Sequence, residues 1–447
     1  MLSIWSENSK LPSFDSLKKD VKTDVLIIGG GMAGILCAYF LKNAGVNYML
    51  VEQNTICSGI TKNTTAKITS QHGLIYQKII KEFGTETAKL YLDANEKAVN
   101  KFRQMCIGNS QSNKLPQIDC DFESKPSFIY SMGNHNKIEK ELTALSSLGY
   151  KAEYENRLPL PFQVAASVKF NNQAQFNPLK FLQHIAPDLN IFEHTKVKEL
   201  IDTTAVTNMG KIYADKIIVT THFPFINKHG SYFLKMYQNR SYAIALKNAA
   251  NVSGMYMDES EKGFSFRNYG NMLLLGGGAH KTGKAGGGLK QLEHSSKKFY
   301  PNSEIKYEWA AQDCMTLDGI PYIGRYSLRT SDLLVATGFN KWGMTSSMVA
   351  AEILTDMILG KDNEYSQIFS PSRTIIRPQL LVNGINAAIN LLTPSTKRCP
   401  HMGCALKWNE EEQSWDCPCH GSRFDKNGTL LDNPATGDLN TKEHHSK

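Results

Sequence analysis

Asp24-Val25-Leu26-Ile27-Ile28-Gly29-Gly30-Gly31-Met32-Ala33-Gly34 is the stretch on which the fold turns. Residues 24–28 are a short β-branched run stopped by glycines, the pattern of a buried strand. A helical pattern follows to about Ala44 and is closed by Gly45, after which Tyr48-Met-Leu-Val-Glu52 reads as a second strand ending in an acid. A bare G-x-G-x-x-G is weak evidence; strand, glycine turn, helix, second strand and terminal acid together are the dinucleotide fingerprint in its required context. Gly29 makes the tight turn, Gly31 lets backbone approach a pyrophosphate, and Gly34 lets the helix pack on the strand. The pyrophosphate would sit at the helix N-terminus, where free N–H groups and the helix dipole favour an anion, with Glu52 on the ribose hydroxyls.

A second segment bears on which dinucleotide. Asp318-Gly-Ile-Pro-Tyr-Ile-Gly324 precedes a strand, Asp332-Leu-Leu-Val-Ala-Thr337, which runs into Gly338-Phe-Asn-Lys-Trp-Gly343-Met-Thr345 and a helix from about Ser346 to Leu359. With the N-terminal fingerprint, this unit makes residues 20–365 resemble the D-amino acid oxidase/glycine oxidase-like flavoproteins. The resemblance implies FAD, with Gly338, Phe339, Trp342, Gly343, Met344 and Thr345 along the ribityl chain and pyrimidine edge. The helix N-terminus there would stabilise negative charge on the reduced ring. The small polar loop Ser58–His72 follows Glu52, where that family passes its chain beneath the isoalloxazine. Thr64, Thr65 and Lys67 are its candidate contacts to flavin or phosphate; a solvated Ser/Thr loop is the competing reading.

Near the C-terminus stand Cys399-Pro-His401-Met-Gly-Cys404 and Cys417-Pro-Cys419-His420-Gly-Ser422, giving C-x-H, fifteen intervening residues, then C-x-x-H. Two thiolates and two imidazoles satisfy tetrahedral zinc, or a [2Fe–2S] cluster with cysteines on one iron and histidines on the other. Zinc loops usually space like ligands several residues apart, whereas here a Cys and a His are two apart, which favours the cluster. The pattern resembles the Rieske iron–sulfur proteins. By that resemblance Cys399, His401, Cys417 and His420 are the ligands, Cys404 and Cys419 form a disulfide joining the loops, and Ser422 bonds a cluster sulfide. Phe424 stands where high-potential members carry Tyr, which implies a potential low in the Rieske range of about −150 to +300 mV.

Composition sets the outer limits. The 447 residues, 41% of them apolar, allow about three domains with real cores. A net charge of +8 is spread along the chain rather than gathered into a basic run, and no nucleic-acid motif stands out. No apolar window reaches the length of a spanning helix, and the N-terminus lacks the charged-then-apolar order of a signal peptide. Besides the four cysteines at the cluster loops, five are scattered (Cys37, Cys57, Cys106, Cys120, Cys314), which is not a secreted disulfide framework. The expectation is a cytoplasmic protein without a membrane span.

The expected fold class is α/β: a Rossmann-like FAD domain of glutathione-reductase type, an α+β substrate domain and a small all-β Rieske module. The FAD domain is expected at 1–90, 190–235 and 310–370, and the substrate domain at 91–189 and 236–309. A connecting helix at 371–394, with an apolar stripe at 381, 385, 388 and 392, leads to a shortened module at 395–447 that leans on the flavin body for its missing base. The motif order (Gln173-Ala-Gln175-Phe-Asn-Pro178, Thr220-Thr-His222-Phe-Pro, Gly276-Gly-Gly-Ala-His280-Lys281, Trp309-Ala-Ala-Gln-Asp313) resembles a bacterial subgroup that joins both parts in one chain.

The resemblance implies an FAD-dependent oxidoreductase that removes hydride from a carbon next to nitrogen in a small amine or amino acid. Arg267 is the candidate for a substrate carboxylate. His280 and Lys281 are candidates to approach the ring and adjust the amine's proton. A surface ion pair for Arg267 and a satisfied loop histidine for His280 are the plain alternatives. A one-electron cluster beside the flavin implies single-electron hand-off to a soluble acceptor protein in place of peroxide release. Two rivals remain: a reductase fed by a ferredoxin-like donor, and a redox-sensing or electron-carrying protein without a substrate. A closed pocket without Arg267 or Lys281 near the flavin favours the last.

Overall fold

The computed structural model describes residues 2–7, 9–108, 117–226, 229–373 and 389–439. The expected strand, turn and helix form as read. Val21–Ile28 lies parallel between Tyr48–Val51 and Lys211–Val219, and Leu333–Thr337 pairs parallel with the other side of Lys211–Val219. Ile191–Phe192, Val197–Ile201, Thr204–Thr207 and Tyr322–Arg325 complete this eight-stranded sheet. Helices Met32–Asn43 and Gly343–Ile358 pack against each other beside it, and their buried faces join the largest hydrophobic core.

A second eight-stranded sheet forms the roof. Its order runs Glu304–Thr316, Met236–Lys247, Met272–Lys281, Ser265–Tyr269, Met255–Asp258, Ser127–Ser131, Ala166–Phe170, Glu153–Glu155. All pairs are antiparallel except Met255–Asp258 with Ser127–Ser131. Glu304–Thr316 stays in this sheet to its end, so the domain boundary expected between 309 and 310 falls inside a strand. Successive side chains on the two long strands point to opposite faces. Ala243, Ala245 and Trp309 face the core under the roof, whereas Tyr242, Ile244 and Ala310 belong to a separate core above it.

The C-terminal module is a four-stranded antiparallel sheet, Lys407–Asn409, Ser414–Asp416, Arg423–Asp425 and Leu430–Asp432. It has its own small core of the cluster-loop cysteines, Leu406, Phe424 and Ala435. Most of the expected connecting helix, residues 374–388, lies outside the described residues. Residues 389–392 are helical, and Leu392, the described end of the apolar stripe, is 84% exposed. This turn is held to the module: Ala405 N donates to Asn390 O at 3.0 Å, and Arg398 donates to Leu391 O at 3.1 Å. No helix among the described residues is long and apolar enough to cross a membrane.

Candidate active site and cluster site

The first sheet and the roof enclose a cavity of about 1110 Å³. Gly29, Gly31, Glu52, Thr64, Thr65, Gly338, Phe339, Trp342, Gly343 and Met344 of the expected FAD contacts line it. The glycines are there for geometric reasons. Gly29 has φ +112°, and a Cβ on Gly34 would lie 1.9 Å from Gly29 O, so nothing larger fits where helix meets strand. The Glu52 carboxylate accepts from Gly30 N at 2.7 Å and Asn54 N at 3.0 Å. Burial raises its pKa while those N–H donors pull it back. The N-termini of both core helices, at Gly31–Ala33 and Gly343–Met344, open onto the cavity and suit pyrophosphate and flavin charge respectively. The residues present therefore fit FAD.

Two expected contacts lie elsewhere. Thr345 is buried inside the helix packing and donates to Thr69 O at 3.1 Å, with its hydroxyl 3.0 Å from His72 Nε2. His72 instead lines the cavity and stacks on Trp342 at 4.9 Å. Burial holds the His72 pKa down at about 3, so the ring is neutral. Lys67 turns away behind the Thr64–Thr65 wall: its Nζ bonds Thr65 Oγ1 at 3.1 Å, and it pairs in register with Gln175. Gln175 in turn pairs with Glu123.

Beside Lys67 lies Arg267, 1% exposed, with no hydrogen-bond partner among the described residues on any of its three guanidinium nitrogens. The guanidinium sits 5.2 Å from the ring of Trp5, whose indole N–H donates to Thr64 O at 2.7 Å. Burial lowers Arg267 to about 9 against the pull of Glu123. Burial and the Arg267 charge lower Lys67 to about 7. Gln175 Oε1 is likewise buried without a donor, while its Nε2 donates to Asn268 O at 2.7 Å. Arg267 does not line the large cavity; Ser265, two residues earlier on the same strand face, does.

His280 and Lys281 are placed at the cluster module instead of the ring, and neither lines the cavity. Their strand passes the cavity at Gly276, Gly277 and Ala279 and then runs on beneath the second cluster loop. His280 stacks on Tyr242, 5.7 Å away, and Lys281 lies over Tyr237 at 5.5 Å. Burial, then Lys284, lowers the Lys281 pKa, and Cys417 opposes them.

At the cluster loops the Cys404–Cys419 disulfide is formed. The sulfurs of Cys404, Cys417 and Cys419 lie within 4.8 Å of one another, but the disulfide removes two of them from ligation. Cys399 and Cys417 remain as free, buried thiols. The rings of His401 and His420 stand 4.9 Å apart at 87°, and His420 Nδ1 is buried without a partner. Two buried thiols, two imidazoles and an orphaned ring nitrogen brought together by the two loops fit a [2Fe–2S] cluster.

What the sequence did not disclose is how the module is seated. Glu412 accepts two bonds from Arg240 of the roof sheet, one from Tyr242 at 2.8 Å and one from Arg423 at 2.8 Å. Arg423 also reaches Asp416 at 3.0 Å and Asp432 at 3.1 Å. Burial alone would raise Glu412; the Arg240 and Arg423 charges hold it down to about 2. Asn433 donates to Thr221 O at 2.6 Å and Phe223 O at 2.8 Å, beside the nucleotide turn.

Cavity, glycine turns and cluster loops define a flavoprotein oxidoreductase with an attached iron–sulfur centre. The chain belongs to the FAD dependent oxidoreductase family, which matches residues 24–357, and residues 390–443 match the Rieske [2Fe-2S] domain. It binds FAD and a [2Fe–2S] cluster. A Rieske 2Fe-2S iron-sulfur protein of Bacillus subtilis (strain 168), YhfW, is 33% identical, over 96% of this chain and 95% of its own. Among solved structures, glycine oxidase from Geobacillus kaustophilus superposes with a TM-score of 0.63 at 18% identity, covering 79% of this chain and 99% of that one. L-amino acid deaminase from Proteus vulgaris gives a TM-score of 0.63 at 13% identity, covering 82% and 99%. At such identities these two show a shared fold.

Proposed function

We propose that the protein oxidises the C–N bond of a small amino acid and passes the electrons singly to its Rieske cluster and on to a soluble one-electron acceptor protein. The observation that carries this is the buried, unpartnered Arg267 guanidinium beside Lys67 and the open acceptor Gln175 Oε1. A buried cation without a counter-ion is costly, and a carboxylate is its natural complement. An N–H donor on the same ligand would satisfy Gln175. A carboxylate next to an amine meets both needs. That the fold is shared with glycine oxidase and L-amino acid deaminase agrees with this substrate class.

Bound FAD supplies the hydride acceptor. The chain's own groups do the rest. Arg267 orients the carboxylate, the walls formed by Trp5 and Trp309 exclude water, and Lys67, titrating near 7, accepts the ammonium proton. Seating of the substrate requires Trp5 to give way. The reading is tested by supplying candidate amino acids with an artificial one-electron acceptor and measuring acceptor reduction alongside peroxide. Acceptor reduction without stoichiometric peroxide supports a dehydrogenase; one peroxide per substrate contradicts it.

The sensor or electron-carrier reading has an observation of its own. Neither Arg267 nor Lys281 lines the flavin cavity, and Trp5 covers the former. It is favoured if no amine or amino acid reduces the flavin.

A further inference from the structure

Along Glu304–Thr316, Trp309, Ala310, Ala311, Asp313, Met315 and Thr316 line the flavin cavity, while Gln312 does not and is 1% exposed. On the neighbouring strand Gln238, also 1% exposed, stands opposite Cys314 and so shares the upper face with Gln312. The two amides bond each other, Gln312 Nε2 donating to Gln238 Oε1 at 2.6 Å. Both then reach into the cluster module. Gln238 Nε2 donates to His420 O at 2.8 Å and Asn433 O at 3.0 Å, and Gln312 Nε2 donates to Gly421 O at 2.8 Å. Thr282 donates to Gln312 Oε1 at 3.0 Å and fixes which way that amide faces. Every polar atom of the pair is used, as a rigid buried network requires. Gly421, at φ +87°, lies against Gln238 so closely that a Cβ would come within 2.6 Å of it.

Docking does not depend on this pair alone, because Arg240 and Tyr242 hold Glu412 of the module, and Asn433 of the module holds Thr221 and Phe223. What the glutamines add is the position of one loop, the loop that carries the ligands Cys417 and His420. We propose that Gln238 and Gln312 are positioning residues for electron transfer, fixing the cluster's second loop on the roof sheet whose same two strands also line the flavin cavity. With both cofactors bound, the two electrons removed from substrate would leave as two single transfers through the cluster. The one-electron acceptor protein reoxidises the cluster between them, and the protons go to solvent. The assignment rests on the flavin and cluster exchanging electrons and holds for either direction of flow.

The test uses the full-length holoprotein and compares native chain, Gln238→Leu/Gln312→Leu and the single variant Gln312→Glu. Gln312→Glu keeps the side chain's size but sets an acceptor against Gly421 O. Iron content and cluster EPR report whether the centre is intact, and hydrogen exchange at residues 417–422 reports the loop. Flash photoreduction of the flavin, followed by the cluster's visible band, reports transfer without any substrate. The expected result is an intact cluster, faster exchange at the loop and transfer slowed at least about tenfold, the scale on which small misplacements cost rate. Native transfer rates in cluster-loaded variants overturn the assignment. Should the double variant lose its iron, Gln312→Glu is judged by the same criteria. If amino acids fail to reduce the flavin while photoreduced flavin still feeds the cluster, the substrate reading fails and this one stands.

Discussion

Arg423 and Arg267 are both buried, at 5% and 1% exposure, in opposite surroundings. Arg423 is met by Glu412, Asp416 and Asp432, and although burial works against its charge, those carboxylates hold its pKa above the usual value. Arg267 is hydrogen-bonded to no carboxylate among the described residues, and burial outweighs the pull of Glu123 and lowers it to about 9. The chemistry of the two side chains is the same, so the difference lies in what each site is for. A buried cation with every guanidinium nitrogen bonded locks parts of one chain together; on the proposed reading, one with none bonded is held for the substrate.

Breaking the satisfied site has the larger effect. Arg423→Met strands buried carboxylates at the seam and is expected to cost about 3–5 kcal/mol, read as a lower melting temperature and loss of iron from the purified protein. Arg267→Met reverses the pattern. It removes an uncompensated buried charge, so melting temperature is expected to hold or rise, while reduction of the flavin by amino acid falls about a hundredfold. A variant that melts early and reduces normally would erase the contrast between the two arginines.

Two pH profiles sharpen it. Glu412 has its folded pKa depressed to about 2 from an ordinary 4.5. Its stabilisation is therefore complete above the ordinary value and lost as pH falls toward 2. The melting-temperature gap between native protein and Glu412→Gln is expected to narrow over that window. Lys67 titrates near 7, and its neutral form is the one able to take a proton. Flavin reduction by substrate is expected to rise with pH through about 7, and Lys67→Met is expected to flatten that rise.

Both cofactor sites were legible because each is written in a local motif. A glycine turn between strand and helix, and paired Cys/His loops, carry their chemistry within a few dozen residues. The errors arose where a face or a distant partner decides. His280 and Lys281 follow glycines that do line the cavity, yet the strand has by then run on to the module. Thr345 and Lys67 sit one or two positions from cavity-lining residues, and in helix and strand that offset turns a side chain elsewhere. Gln238 and Arg240 gave no signal, and Gln312 was read only as part of a motif, since their module partners lie more than a hundred residues away in sequence. Trp5 was unread for the same reason: only the fold brings it over Arg267. The contact of Cys106 with Cys120, sulfur to sulfur at 3.4 Å, was hidden among cysteines read as scattered.

The most direct measurement is an anaerobic titration of the purified protein with candidate amino acids, followed by visible absorption and low-temperature EPR and ended with dithionite. Bleaching of the flavin bands together with a Rieske-type signal on adding an amino acid is the result expected of a chain that runs from substrate through FAD to the cluster. Reduction of both centres by dithionite, with no amino acid reducing either, would contradict it.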